Sequence, residues 1–255
     1  MNRRAFLVSC GAGLALAQEK PRDLELFLLI GQSNMAGRGV VEAQDKEVIP
    51  GVWMLTKELT WAPAVDPLHF DKPQVAGVGI GRTFAQTLLK WRPGASIGLI
   101  PAAFGGTSLD EWKPGGKLYT DAVARAKEGV KSGRLRGILW HQGEADSGSA
   151  EKIASYRERF AAMVARLREH LSAADVPVVV GELGEYRTTP LNRQMNEQLA
   201  LVQFSVPRSG FVSSAGLVHK GDGTHFDSPS LREFGRRYAL AYMALDKDWA
   251  RVKGN

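Results

Sequence analysis

A serine hydroxyl attacks an acyl carbon only when a neighbouring base takes its proton, and a histidine base works best when a carboxylate fixes its tautomer. Two stretches of this chain carry those groups. Ser33 stands in Gly31-Gln32-Ser33-Asn34-Met35-Ala36-Gly37, directly after the run 24–30, which is apolar apart from Glu25. Near the other end, Gly221-Asp222-Gly223-Thr224-His225-Phe226 places an aspartate three residues before a histidine. A turn over that spacing brings the carboxylate to Nδ1 and leaves Nε2 free to take a proton from a serine. The pair assigns Ser33 as nucleophile, His225 as base and then as acid for a leaving alcohol, and Asp222 as its orienting partner.

Acyl transfer also needs donors for the oxygen that becomes negative, each worth roughly 3–4 kcal/mol in comparable enzymes. Paired glycines in Pro101-Ala102-Ala103-Phe104-Gly105-Gly106-Thr107-Ser108 allow close approach of backbone N–H groups. A polar cluster, Trp140-His141-Gln142-Gly143-Glu144-Ala145-Asp146, follows another apolar run. The expected donors are the backbone N–H groups of Ser33 and Gly106 and the side-chain amide of Gln142.

These residues need one common edge to meet. Strands are predicted at 24–30, 52–55, 96–100, 135–140, 176–180 and 211–212, and helices at 81–91, 118–131, 149–171, 191–204 and 228–245. Continuous apolar strands separated by helices describe an α/β fold with a parallel sheet covered on both faces. Every candidate group then falls at a strand's carboxyl end, where open α/β sheets bind ligands. The stretch 57–79, broken by Pro63, Pro67 and Pro73, is expected to be a packed loop near the site. No repeat or linker divides the chain.

With 255 residues, 44% hydrophobic and 24% charged, the chain has the composition of one soluble globular domain. Its +6 charge comes without a dense Lys/Arg run interleaved with aromatics, which argues against a nucleic-acid partner. Residues 1–17, with Arg3-Arg4 ahead of an apolar segment ending in Ala15-Leu16-Ala17, read as an export signal of twin-arginine type, leaving 18–255 as the mature domain. The only cysteine, Cys10, lies inside that segment, and soluble export is favoured over lipid anchoring there. No other stretch approaches the ~20 apolar residues needed to span a membrane.

In order, the blocks at 31–37, Asp66-Pro67-Leu68-His69, Gly77-Val78-Gly79-Ile80-Gly81, Gly105-Gly106-Thr107-Ser108 with Trp112, 140–146 and 222–225 resemble the SGNH hydrolases. The closest branch is that of the sialate O-acetylesterase-like and plant-type carbohydrate esterases, carbohydrate esterase family six. The resemblance implies a three-layer α/β/α flavodoxin-like fold, no metal or cofactor, and removal of acetyl groups from sugar hydroxyls, so the expected partner is an acetylated carbohydrate. It also opens a second choice for the third triad member, since relatives resemble a variant that uses the glutamate of the H-Q-G-E block, here Glu144; Asp222 is preferred. Gln32, Asn34, His69, Thr107, His141 and Trp112 are the candidates for substrate contact. A general short-acyl esterase and a non-catalytic sugar-binding protein on the same fold are the alternatives. No G-x-G-x-x-G follows the first strand to support a dinucleotide reading.

Overall fold

The computed structural model describes residues 21–250, so the expected export segment and Cys10 lie outside the described residues. The apolar runs pair as β1 (Leu24–Gly31), β2 (Val52–Leu55), β3 (Trp61–Pro63), β4 (Ile97–Pro101), β5 (Gly133–His141), β6 (Val178–Gly181) and β7 (Ser209–Val212). They form one seven-stranded sheet in the order β3-β2-β4-β1-β5-β6-β7. Every pairing is parallel except that of β2 with β3.

The two-residue period of a strand explains how one sheet serves two cores. On β1, Leu24, Leu26, Leu28 and Ile30 enter one apolar cluster, whereas Phe27 and Leu29 enter the other. The first cluster is roofed by α3 (Lys117–Gly129), α4 (Ala150–His170) and α5 (Pro190–Leu201); the second by α2 (Gly81–Trp91) and α6 (Ser228–Leu245). This is the expected three-layer α/β/α arrangement. Helix α4 shows why the sequence settles this way: Ile153, Tyr156, Phe160, Met163, Val164 and Leu167 fall on one buried stripe. Its start is fixed by Ser149, whose hydroxyl accepts from Lys152 N–H at 3.3 Å. Helix α6 starts the same way, with the Asp227 carboxylate accepting from Ser230 N–H at 2.8 Å.

Three details differ from the sequence reading. A short strand, β3, lies inside the stretch 57–79, pairing through Trp61 with Leu55. The serine turn is one turn of helix, α1 (Ser33–Ala36). Helices α3 and α5 stop early because their last residues tighten into 3₁₀ turns, Val130–Ser132 and Val202–Phe204.

The carboxyl ends of β1 and β5 are pressed together at Gly31. Its φ is +129°, and a β-carbon there would lie 2.1 Å from the His141 carbonyl oxygen. Gln32 N–H donates to that same oxygen at 2.8 Å. Gly31→Ala is expected to cost more than about 2 kcal/mol in denaturant unfolding; an unchanged midpoint would mean the two strand ends are not in contact.

An ionic cluster ties the turn before β2 and the loop after β3 to α2 and α6. Arg82 faces Asp45 and Asp66, each at 3.8 Å, and Arg232 grips Asp45 at 2.6 Å. Burial pushes the Asp66 carboxyl up to about 7, Arg82 opposing and Asp45 reinforcing. A proton held more tightly in the folded than in the unfolded chain stabilises at low pH, and that contribution fades as pH rises from about 4 through about 7. Thermal melts across this window should therefore show wild type losing stability relative to Asp66→Asn; parallel curves would place the Asp66 proton elsewhere.

Candidate active site

Strand β1 delivers Ser33 to the carboxyl edge of the sheet, 6% exposed. The turn is closed by Gly37, whose N–H donates to the Ser33 carbonyl at 2.9 Å. Among the described residues, neither the Ser33 hydroxyl nor its N–H donates to a protein acceptor. Facing it, the turn after β4 carries Gly106 in the left-handed region, φ +82°. That turn is held from behind, because Gly105 N–H donates to Asp71 Oδ2 at 2.8 Å and Arg38 clasps the same carboxylate at 2.6 Å. Arg38 also donates to the Gly37 carbonyl at 2.7 Å. One ion pair thus fixes the serine turn and the glycine turn against each other.

His225 arrives on the loop between β7 and α6. Asp222 Oδ2 lies 2.7 Å from His225 Nδ1, while Oδ1 accepts from the N–H groups of Thr224 (2.9 Å) and His225 (2.8 Å). This Asx turn explains the three-residue spacing: the carboxylate caps its own loop and reaches the imidazole at once. Burial alone would raise the Asp222 carboxyl, but the His225 N–H, its imidazole and the Thr224 N–H hold it well below the usual range. An ionised acceptor there places the histidine proton on Nδ1 and leaves Nε2 as the free base. His219 shapes the loop as well, its Nδ1 accepting from Gly221 and Gly223 N–H at 3.0 and 3.1 Å.

Asn34 joins these pieces. Its Nδ2 donates to Glu144 Oε1 at 2.7 Å and to the Thr224 carbonyl at 3.2 Å, and its Oδ1 accepts from Phe226 N–H at 3.1 Å. The residues on either side of His225 are therefore tied to the residue after Ser33. Glu144 sits beneath, 3.6 Å from His141 Nε2, and contacts His141 and Asn34, not His225. Burial would raise its carboxyl, yet His141, its own N–H and Asn34 hold it below the ordinary value. His141 reaches Tyr238 OH on its other side at 3.3 Å.

The remaining candidates are all buried and separate by whether they line the cleft. Gln32 borders the cleft beside Ser33. Asn34, His69, Thr107, His141, Gln142 and Trp112 are buried and act from behind it. Trp112 Nε1 donates to Thr107 Oγ1 at 3.0 Å, and Thr107 donates to the Phe104 carbonyl at 2.8 Å, bracing the glycine turn. His69 is held neutral by burial, its proton affinity depressed to a pKa of about 4 despite Asp71. Gln142 does not line the cleft: its Nε2 donates to Asp146 Oδ2 (2.7 Å), the Thr107 carbonyl (3.0 Å) and Gln32 Oε1 (3.2 Å).

The cleft measures about 420 Å³ and is lined by Ser33, His225, Gly106 and Gln32, with Lys72, Val75 and Arg187 at its rim. The stretch 57–79 supplies Lys72 and Val75, so it packs at the site as its prolines and aromatics suggested. Lys72 and Arg187 escaped the sequence reading because only the folded loops bring them to Ser33. Larger clefts of 720 and 620 Å³ open at the amino ends of β1 and β5, but neither has a histidine in its wall to activate a serine. Among the described residues no group of three or more His, Cys, Asp and Glu side chains is placed to hold a metal ion.

A family model described as carbohydrate esterase, sialic acid-specific acetylesterase matches residues 23–244. A probable carbohydrate esterase of Arabidopsis thaliana is 32% identical over 262 residues, covering 92% of this chain and 98% of its own. The X-ray structure of that plant protein aligns with a TM-score of 0.80 at 29% identity, over 87% of this chain and 98% of the other. A carbohydrate acetylesterase from Xanthomonas citri aligns with a TM-score of 0.68 at 18% identity, over 88% of this chain and 57% of the other, a likeness of fold.

Loss of the Asn34 amide should free the histidine loop. In Asn34→Ala the buried Phe226 N–H and Glu144 carboxylate lose a partner, at about 1–3 kcal/mol each, and amide exchange at 224–226 should speed up more than exchange in β5. Unchanged exchange in that loop would show that Asn34 does not hold it.

Proposed function

Since the chain belongs to the sialic acid-specific acetylesterase family of carbohydrate esterases, which makes it a carboxylic-ester hydrolase, we propose that it removes O-acetyl groups from a sugar through an acyl-enzyme on Ser33. The observation that carries this reading is the 2.7 Å contact between Asp222 and His225 Nδ1 on a loop tied to the serine turn. His225 Nε2 takes the Ser33 proton as Oγ attacks the acetyl carbon. Negative charge moves onto the acetyl oxygen, toward the N–H groups of Ser33 and Gly106. His225 then returns the proton to the departing sugar hydroxyl. A water molecule, deprotonated by His225, releases acetate from Ser33 by the same steps in reverse order. Asp222 keeps the imidazole in the required tautomer and stabilises its charged form.

The rim of the cleft supports an acidic sugar over a neutral xylan. Arg187 donates to the neutral oxygens of Asn192 and Ser147 at 3.3 and 3.5 Å, and a β-carbon on Gly106 would stand 3.7 Å from Lys72 Nζ. Neither cation has a carboxylate partner among the described residues, so both are free to meet a substrate carboxylate of the kind sialic acid carries. On this reading residues 1–17 direct export and 18–255 form one esterase domain acting outside the cytoplasm.

Acetate release from O-acetylated sialic acid, acetylated pectin, acetylated xylan and an aryl acetate tests both parts. Ser33→Ala should lose more than about 10³-fold in kcat, and Asp222→Asn about 10²–10⁴-fold. Glu144→Gln, which leaves the Asp222–His225 contact in place, should retain more activity than Asp222→Asn. Turnover by a clean Ser33→Ala preparation would remove the nucleophile assignment, and equal kcat/KM on xylan and the acidic sugars would remove the role of Lys72 and Arg187.

A further inference from the structure

One side chain in the cleft wall holds unspent donors. Gln32 is 3% exposed and stands beside Ser33 and Gly106. Its Oε1 accepts from the N–H groups of Ala145 (3.3 Å) and Gly143 (3.5 Å) and from Gln142 Nε2 (3.2 Å). A backbone N–H can only donate, so this amide cannot be turned over: its oxygen faces the turn after β5 and its NH₂ faces away from it. Among the described residues that NH₂ donates to no protein acceptor, and it is not sealed from solvent, so it opens on the cleft.

Gln142 is in the opposite condition. It is 0% exposed. Both of its amide protons are spent on Asp146, Thr107 and Gln32, and its Oε1 accepts from Tyr156 OH at 2.7 Å. A carbonyl acceptor on one side and a hydroxyl on the other leave it no face to turn toward substrate.

We propose that the side-chain donor of the oxyanion hole is Gln32 Nε2, and that Gln142, expected from the sequence to fill that role, is a positioning residue behind it. The inference rests on the Ser33 esterase reading above. The hole then consists of the N–H groups of Ser33 and Gly106 and the amide of the residue just before the nucleophile. Asp146, Thr107 and Tyr156 fix Gln142, and Gln142 with the Gly143 and Ala145 N–H groups fixes Gln32. The donor is aimed before substrate arrives, which is the condition under which such a group accelerates acyl transfer.

Turnover of p-nitrophenyl acetate by wild type, Ser33→Ala and Gln32→Glu tests it. The glutamate keeps one oxygen for Gly143 and Ala145 and replaces the aimed NH₂ with a second oxygen. The expected result is a kcat about 10²–10³-fold lower with KM changed less than about threefold; a folded Gln32→Glu protein with kcat within about threefold of wild type overturns the proposal. A second measurement does not depend on the variant folding. Wild type with ¹⁵N-labelled glutamine side chains is treated with a p-nitrophenyl alkylphosphonate: the Ser33 Oγ–P bond forms, the P–O bond to p-nitrophenolate breaks, and His225 takes the serine proton. The anionic phosphonyl oxygen should shift a Gln32 side-chain proton downfield and leave Gln142 unmoved. The reverse pattern overturns the proposal, whereas wild type inert to both acetate and phosphonate overturns the esterase reading beneath it.

Discussion

The three hydrogen bonds of the Asn34 amide are the constraint on which the site depends. They gather the turn after β1, the turn after β5 and the loop before α6, segments separated by 110 and 190 residues along the chain. A single amide suits the task because it offers donors and an acceptor in one rigid plane, and the Phe226 N–H has no other partner among the described residues, whereas the Thr224 carbonyl also accepts from Tyr186 OH at 3.0 Å. The sheet alone could not do this: it fixes where strands end, and the loops beyond it are free to diverge.

Burial divides the labour among the carboxylates. Asp222 is partly exposed and stays ionised through its own loop's N–H groups, so it can balance an imidazolium as charge appears. Glu144, in the cleft wall with its side chain 5% exposed, is held below its ordinary range by His141 and Asn34 and anchors structure. Asp71 and Asp146 are anchors too, one holding Gly105 and the other holding Leu109 N–H at 2.8 Å and Gln142. The carboxylate that meets His225 is the one with the least help from the core.

Much of this was legible in the chain. The apolar run ending at Gly31 and the alternation of helix and strand give the sheet and its carboxyl edge, and the D-x-x-H spacing gives the Asp222–His225 contact that faces the cleft of Ser33. What failed to show was orientation. Gln142 reads as a donor from its block, but its two amide protons are claimed by Asp146 and Thr107, which no local pattern announces. Trp112 and His69 read as contact residues because aromatic and imidazole groups serve sugars well, yet both are buried, and Trp112 braces Thr107. Strand β3 is three residues long and depends on β2 for its existence, so propensity alone leaves it as loop.

The Arg38–Asp71 pair gives the site a property that bears on its redesign. Asp71 belongs to the same segment as Lys72 and Val75, which form the rim that would select the sugar, and its carboxylate is what holds the turn bearing Gly106. In the proposed function, recognition and the support of the glycine turn are therefore mounted on one piece of chain. A segment grafted between β3 and α2 to admit another sugar would carry away the brace of the glycine turn, unless an acid at position 71 opposite Arg38 travelled with it. Swapping specificity here is a problem of preserving a strut, and libraries that fix those two positions while varying 72–75 would search the accessible space.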